Sequence, residues 1–259
     1  MPAGQPPVQN LLVLTKITAI LDAFTLADPE LPLSEIRTRT GLPQSTAQRL
    51  VANLVEQGFL DRTRGGYRIG VRMLHWAAPA MQGLEAVDII RPVLDEMRDT
   101  LGETAAVFRE SQGHRVCIAL AETRQVLRRA IRVGQILPLH AGSAGRVILA
   151  WTPDRLAEIL QRDLESFTDE TIVERGQLAA VVKETAVQGY AVTTGERQTG
   201  ASGLSAPIFT AQGELFGALT VMGPTSRMPE ETCREWAPYV LERAEQLTRT
   251  LGGRHPDER

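Results

Sequence analysis

Residues Leu33 to Gly70 read LSEIRTRTGLPQSTAQRLVANLVEQGFLDRTRGGYRIG, and their order decides the fold: helix, tight turn, second helix, basic hairpin. Pro32-Leu33-Ser34-Glu35-Ile36 opens the first helix, and Gly41-Leu42-Pro43 breaks it with a turn of a few residues. From Gln44 to Gln57 the residues Ala47, Leu50, Val51, Leu54 and Val55 recur at the spacing of one buried stripe on a helix. Gln44, Ser45, Gln48 and Arg49 fall on the opposite side of its first two turns. Gln and Arg each offer two parallel hydrogen bonds to a base edge in the major groove, while Ser45, Thr46 and the helix N-terminus suit a phosphate. Phe59 to Ile69 then forms two short strands around Gly65-Gly66, a pair expected to supply the positive φ of a tight hairpin. Arg62, Arg64 and Arg68 give that wing the charge to lie along a phosphate backbone. Residues 11–70 thus read as a winged helix-turn-helix built to bind double-stranded DNA.

Charge is distributed accordingly. The 259 residues carry a net charge of -3, which looks wrong for a DNA binder until the chain is divided. The first 80 residues hold eight basic side chains against six acidic ones, whereas the rest hold 20 against 25. A mildly basic head therefore precedes an acidic body with a separate task. Cys117 and Cys233 lie far apart, and His75, His114, His140 and His255 are scattered, so neither a disulfide framework nor a metal-ligand spacing is present and no metal or cofactor is expected. No stretch approaches the ~20 apolar residues of a membrane helix, and the chain reads as cytoplasmic, without a membrane partner.

Residues 1–10, rich in Pro and Gln, are expected to form a disordered arm. A first helix follows, with Val13, Ile17, Ile20, Leu21 and Phe24 as its buried stripe. A connecting helix is expected over 71–87, with Leu74, Ala77, Ala78 and Met81 on one face, and another helix from about Asp88 to Leu101 stops at Gly102. The body, 88–252, then changes period. Strands are expected at Thr104 to Ser111 and Arg115 to Glu122, and again at Leu204 to Thr210 and Leu215 to Met222. Helices are expected near Ala144 to Trp151, Pro153 to Leu160, Glu174 to Gln188 and Glu230 to Leu251, before a disordered tail at 253–259. Strand pairs separated by helices imply an α+β body on an antiparallel sheet.

Taken together these motifs resemble the IclR family of bacterial transcription regulators over nearly the whole chain. Gly41 to Leu50 is similar to that family's recognition-helix signature and Gly65 to Gly70 to its wing; Val133-Gly134, Pro138 to Ala141 and Ala144-Gly145-Arg146 match its first effector-domain motif, and Glu196, Gly200 to Pro207, Gly223-Pro224 and Arg227 match the rest. The resemblance implies a GAF-like effector-binding domain, a homodimer or dimer of dimers, and an inverted-repeat operator responsive to a small molecule. It also implies that Gly203 stands where some members carry a pocket cysteine and Thr193 where some carry an aspartate, so the pocket has fewer polar groups and more room. Repression is the commoner sense among such relatives.

Ala141-Gly142-Ser143-Ala144-Gly145 has two chemical readings. It fits the small-x-Ser-x-Gly turn that exposes a nucleophile, but a triad would need a base downstream and only His255 lies there, in the tail. As a ligand cradle, Ser143 and Ala144 open a helix whose free N–H groups favour an anion. With the resemblance, Leu139, Gly142, Ser143, Ala144, Thr193, Glu196, Ser202 and Gly203 are the expected effector-binding residues, for a small carboxylate or aromatic acid, with Phe108, Cys117, Leu137 and Val221 as further lining. Arg128, Arg129 and Arg132 read as a solvated basic cluster. The rival reading is a hydrolase or a stand-alone metabolite sensor carrying a DNA-binding head. It differs in that an enzyme consumes its ligand.

Overall fold

The structure is a computed structural model that describes residues 12–25, 28–76, 85–128 and 130–256. The expected N-terminal arm, Arg129, and residues 77–84 of the expected connecting helix lie outside the described residues; residues 72–76 are helical. The chain divides into two units, Met1–Leu84 and Glu85–Arg259.

In the first unit, α1 (Leu12–Asp22), α2 (Leu33–Thr40) and α3 (Gln44–Glu56) surround a core of Ile20, Leu31, Ile36, Val51, Leu54 and Leu60. Gly41 ends α2 in the left-handed region at φ 65°, where its N–H bonds the Arg37 carbonyl. Val13, expected in the buried stripe of α1, is 57 % exposed, because the stripe meets the core only from Ile17 onward. The wing has three strands rather than two. β1 (Glu30–Leu31) pairs antiparallel with β3 (Tyr67–Ile69), which pairs with β2 (Leu60–Arg62). That extra strand revises the role of the glycine pair. Only Gly66 takes a positive φ, 149°, and a Cβ on it would lie 2.3 Å from the Leu31 carbonyl oxygen. Gly65 takes no positive φ, and the nearest atom to a Cβ there is Oε1 of the exposed Glu30 side chain, which can swing aside.

The second unit is an α+β body on a six-stranded antiparallel sheet of order β6-β5-β4-β9-β8-β7, made of β4 (Thr104–Ser111), β5 (His114–Ala121), β6 (Ile136–Pro138), β7 (Ala191–Thr194), β8 (Ala201–Phe209) and β9 (Leu215–Pro224). α4 (Glu85–Leu101) packs on β4 and β5, and α8 (Glu230–Thr250) on β8, while α5 (Ser143–Trp151), α6 (Pro153–Leu160) and α7 (Arg175–Gln188) form a second helical group around α5. β8 and β9 are buried almost without interruption, as strands covered on both faces must be. The register sets Thr193 opposite Gly203, Gly203 opposite Met222, and Ser205 opposite Thr220.

Three expectations change. β8 begins at Ala201 rather than Leu204, so Ser202 and Gly203 belong to a strand and the loop facing α5 is only 195–200. The short strands β6 and β7 had no signal of their own. The tail is held as far as Pro256: the Gly253 N–H bonds Thr248 O at 2.7 Å, the Arg254 N–H bonds Thr210 O at 3.1 Å, and His255 sits edge-on to Phe209 with centroids 5.0 Å apart. Gly253 permits this closure, since a Cβ on it would lie 2.0 Å from the Phe209 carbonyl oxygen.

Gly66→Ala combines a left-handed backbone with a clash against main chain that cannot swing away. It is expected to destabilise the first unit by about 1–3 kcal/mol. Urea unfolding checks this; an unchanged midpoint would mean the hairpin tip relaxes without cost.

Candidate functional site

The first unit presents a polar helix face. Gln44, Ser45, Gln48 and Arg49 are exposed on α3 and Thr46 is half-buried, while Ala47, Val51 and Leu54 turn into the core. Pro43 precedes α3 and contributes no side-chain cap, which leaves the first-turn N–H groups facing outward. Arg37 donates to Gln44 at 3.4 Å. Arg62, Arg64 and Arg68 are exposed on the wing, but they are not equivalent. Arg62 lies over the Tyr67 ring, and Arg68 is 3.6 Å from Asp61. Arg49 and Arg64 form no ion pair among the described residues, so their charges are uncommitted.

The second unit holds a small, partly open cavity of about 30 Å³. Gly142, Ser143 and Ala144 from the start of α5, Thr193 on β7, Glu196 on the following loop, and Ser202 and Gly203 on β8 all line it, with Phe108 and Leu137 on its apolar side. Leu139, Cys117 and Val221 do not line it; all three are fully buried elsewhere in the core. Close approach makes the site possible. A Cβ on Gly203 would lie 2.7 Å from Ser143 Oγ, and one on Gly145 would lie 2.0 Å from the Leu139 carbonyl oxygen.

A buried ion pair closes one wall. Arg146 on α5 pairs with Glu196, whose other carboxylate oxygen accepts the Gly142 N–H at 2.9 Å, and Arg146 also donates to Val192 O at 3.1 Å. The Glu196 carbonyl accepts the Thr171 hydroxyl at 2.6 Å. Burial pulls the Arg146 guanidinium down to about 10 against the raising influence of Glu184 and Glu230, so it remains charged at neutral pH. On the far side of Thr193 and Glu196 lies an open groove of about 620 Å³, lined among others by Asp169, Glu170, Glu184 and Glu230.

The hydroxyl groups are chained. The Ser143 N–H donates to Thr193 Oγ1 at 3.0 Å; Ser143 Oγ and Ser205 Oγ are 2.8 Å apart, as are Ser205 Oγ and Thr220 Oγ1. Ser143 therefore has a serine, not a histidine, beside its hydroxyl. His255 packs at Phe209, six residues along β8 from Gly203, which is about 20 Å of extended strand. Burial pushes the Cys117 thiol up to about 12, which leaves it without nucleophilic character at neutral pH. Among the described residues no His, Cys, Asp and Glu side chains group to hold a metal ion, and no helix is long and apolar enough to cross a membrane.

Sequence reading missed Arg115, Arg197, Ser205 and Thr220 as cavity neighbours. Arg115 had a signal: it occupies an inward position of β5, in step with Cys117, Ala119 and Ala121, and it is only 3 % exposed. Ser205 and Thr220 depend on strand register, which the sequence alone does not show, and Arg197 stands on the 195–200 loop, where no period marks a side chain as inward.

Comparison with known proteins agrees with this layout. A family described as "Bacterial transcriptional regulator IclR C-terminal" matches residues 78–249, and "IclR helix-turn-helix domain" matches 13–64. The chain is 27 % identical over 257 residues to the transcriptional repressor IclR of Escherichia coli, covering 97 % of this chain and 94 % of that one. It is 28 % identical over 242 residues to the transcriptional regulator KipR of Bacillus subtilis, covering 92 % and 96 %. Among solved structures, an IclR transcriptional regulator from Silicibacter sp. matches with a TM-score of 0.83 at 26 % identity over 95 % of this chain and 98 % of that one. An IclR homolog from Microbacterium hydrocarbonoxydans, complexed with 4-hydroxybenzoate, matches with a TM-score of 0.76 at 24 % identity over 92 % and 98 %.

Removing one partner of the Arg146–Glu196 pair leaves an uncompensated buried charge. Glu196→Gln is expected to cost about 3–5 kcal/mol, whereas the double change Arg146→Met with Glu196→Leu should recover much of that loss. Chemical denaturation of both variants checks it; equal losses would show the pair is not coupled.

Proposed function

The chain belongs to the IclR family of bacterial transcriptional regulators, and from that premise we propose that it holds a specific operator through α3 and the wing and releases or retains it according to a small molecule in the cavity beside α5. The observation that supports this is the pairing, in one chain, of an outward helix face carrying an uncommitted Arg49 with a small, polar-lined cavity whose Ser143 hydroxyl contacts Ser205 rather than a histidine. Gln44, Ser45, Thr46, Gln48 and Arg49 are the proposed α3 contacts, and Arg62, Arg64 and Arg68 the proposed wing contacts. Gly142, Ser143, Ala144, Thr193, Glu196, Ser202 and Gly203 are the proposed effector contacts; Leu139 supports them from the core. Relatives named as repressors favour repression. The ligand leaves unchanged, and the protein works in the cytoplasm.

We further propose that two copies act together. One head offers a single recognition helix and a small positive surplus, so it grips DNA weakly. Two heads in one assembly make the second docking step intramolecular, which raises avidity by roughly 10²–10⁴. A two-fold assembly, dimer or dimer of dimers, then imposes an inverted repeat on its operator.

Fluorescence anisotropy on a selected operator and on random DNA tests the head. Arg49→Ala should weaken operator binding by about 1–3 kcal/mol and lower discrimination between the two DNAs, while Arg64→Ala should weaken both alike and reduce the salt slope by about one. Unchanged operator affinity for Arg49→Ala would remove the base-reading role. For the body, Gly203→Leu should fill the cavity, so that operator binding persists and the response to effector is lost. An intact response would move the ligand elsewhere.

A further inference from the structure

Two glutamines stand about one turn apart on the outward face of α3, and their surroundings differ. Gln44 and Gln48 are both exposed. The Gln48 side chain enters no hydrogen bond among the described residues, so its amide is free at both ends. Gln44 is tied. Nη1 of Arg37, in the last turn of α2, donates to Gln44 Oε1 at 3.4 Å, the one side-chain hydrogen bond between α2 and α3 among the described residues. A guanidinium carries donors and no acceptor, so the amide atom that meets it must be the oxygen. The amino group at Nε2 is then the free end of Gln44. Arg37 is itself exposed, and while its neighbour Arg39 is held by Asp28 and Glu35, Arg37 enters no ion pair among the described residues. Its other N–H groups and its charge are therefore also available.

This changes what the Gln44 amide can read. A glutamine recognises adenine with both ends at once, its oxygen accepting from N6 and its nitrogen donating to N7. At Gln44 the first of those bonds would bring the N6 amino group against an oxygen that already faces a cation. Guanine asks for the opposite, because its O6 and N7 are adjacent acceptors with no donor beside them on that base. Thymine offers the single acceptor O4, and cytosine a donor. On the reading that α3 lies in the major groove, we propose that Arg37 and Gln44 act as one donor-only unit that selects guanine in the operator. Arg37 is the positioning residue: by occupying the amide oxygen it takes adenine away from Gln44. Gln48, with both ends free, keeps the adenine pairing open, so two identical side chains on one helix face read different bases.

The test uses full-length protein and a site selected from a randomised duplex pool, with affinity then measured for all four bases at each position in turn. Parent, Gln44→Ala, Arg37→Met, Arg37→Lys and Arg49→Ala are compared. Each readout is a ratio between bases within one variant, so a change in overall stability or affinity does not move it. The position whose preference is lost in Gln44→Ala should be guanine in the parent, favoured over adenine by roughly tenfold. Arg37→Met frees the amide, so adenine should draw level with guanine there while the other positions keep their order. Arg37→Lys still sets a donor against the oxygen and should keep guanine. Any other base at that position in the parent would overturn the proposal, as would an Arg37→Met variant that weakens all sequences alike, the mark of a lost phosphate contact. Unchanged preferences in Gln44→Ala beside a changed one in Arg49→Ala would also overturn it, and would leave α3 as the base-reading helix. Unchanged preferences in both, or a pool from which nothing is enriched, would remove the reading of α3 and this proposal with it.

Discussion

The arrangement around the cavity depends on the buried pair of Arg146 and Glu196. Taking two charges out of water costs several kcal/mol per ion, and their attraction offsets this only when the remaining hydrogen-bonding groups are also satisfied. Here they largely are. Glu196 accepts from Arg146 and from the Gly142 main chain, Arg146 donates to Val192, and the Thr168 and Thr171 hydroxyls hold the Glu196 carbonyl. The pair therefore locks the N-terminus of α5, the edge strand β7 and the segment before α7 into one geometry. Its contribution is specificity of position more than net stability. Gly142 and Gly145 answer to other neighbours: Gly142 holds φ 99° with the Arg115 guanidinium 3.0 Å from where a Cβ would stand, and a Cβ on Gly145 would lie 2.0 Å from the Leu139 carbonyl oxygen.

A second ion pair, buried on its carboxylate side only, stands at the same end of the sheet, where β9 ends and β4 begins. Glu103, 2 % exposed, pairs with Arg227, which also donates to the Leu127 carbonyl at 3.0 Å. Gly223 is again the residue that makes room, because a Cβ there would lie 2.4 Å from the Glu103 carboxylate. This pair ties the residue before β4 and, through Leu127, the segment after β5 to the turn after β9. Similar chemistry thus recurs at one end of the sheet, and what separates the two pairs is burial, of both partners at Arg146–Glu196 and of the carboxylate alone at Glu103–Arg227.

Much of this was legible in the sequence where periodicity was long. α3 showed its stripe over 13 residues, and Ala47, Val51 and Leu54 are buried as their spacing requires. The two hairpins of the body announced themselves through Gln112-Gly113 and Gln212-Gly213, and Gln112, Gly113 and Gly213 do take positive φ. Two-residue β1 and three-residue β6 are too short to show a period, so the third wing strand stayed hidden. The cavity was half legible. Gly142, Ser143 and Glu196 stand in local motifs, but Ser205 and Thr220 meet only because β8 and β9 pair in one register, and nothing in either stretch alone records that.

Size and sign together explain why the smaller hollow is the better candidate for an acid. The open groove across Glu196 is about twentyfold larger, yet its lining includes Asp169, Glu170, Glu184 and Glu230, whose carboxylates repel an anion, while Arg146 and Arg234 are already paired with Glu196 and Glu230. The smaller cavity, with Arg115 and Arg197 beside its one carboxylate, has the opposite sign and, at about 30 Å³, little room. A ligand shifts an equilibrium only as far as it binds two states differently. A site too small for its ligand when empty meets that condition within its own walls. Any occupant larger than a water molecule would have to displace part of that lining, and the ion pair at Glu196, tied to the Gly142 main chain, is the part of the wall held most firmly.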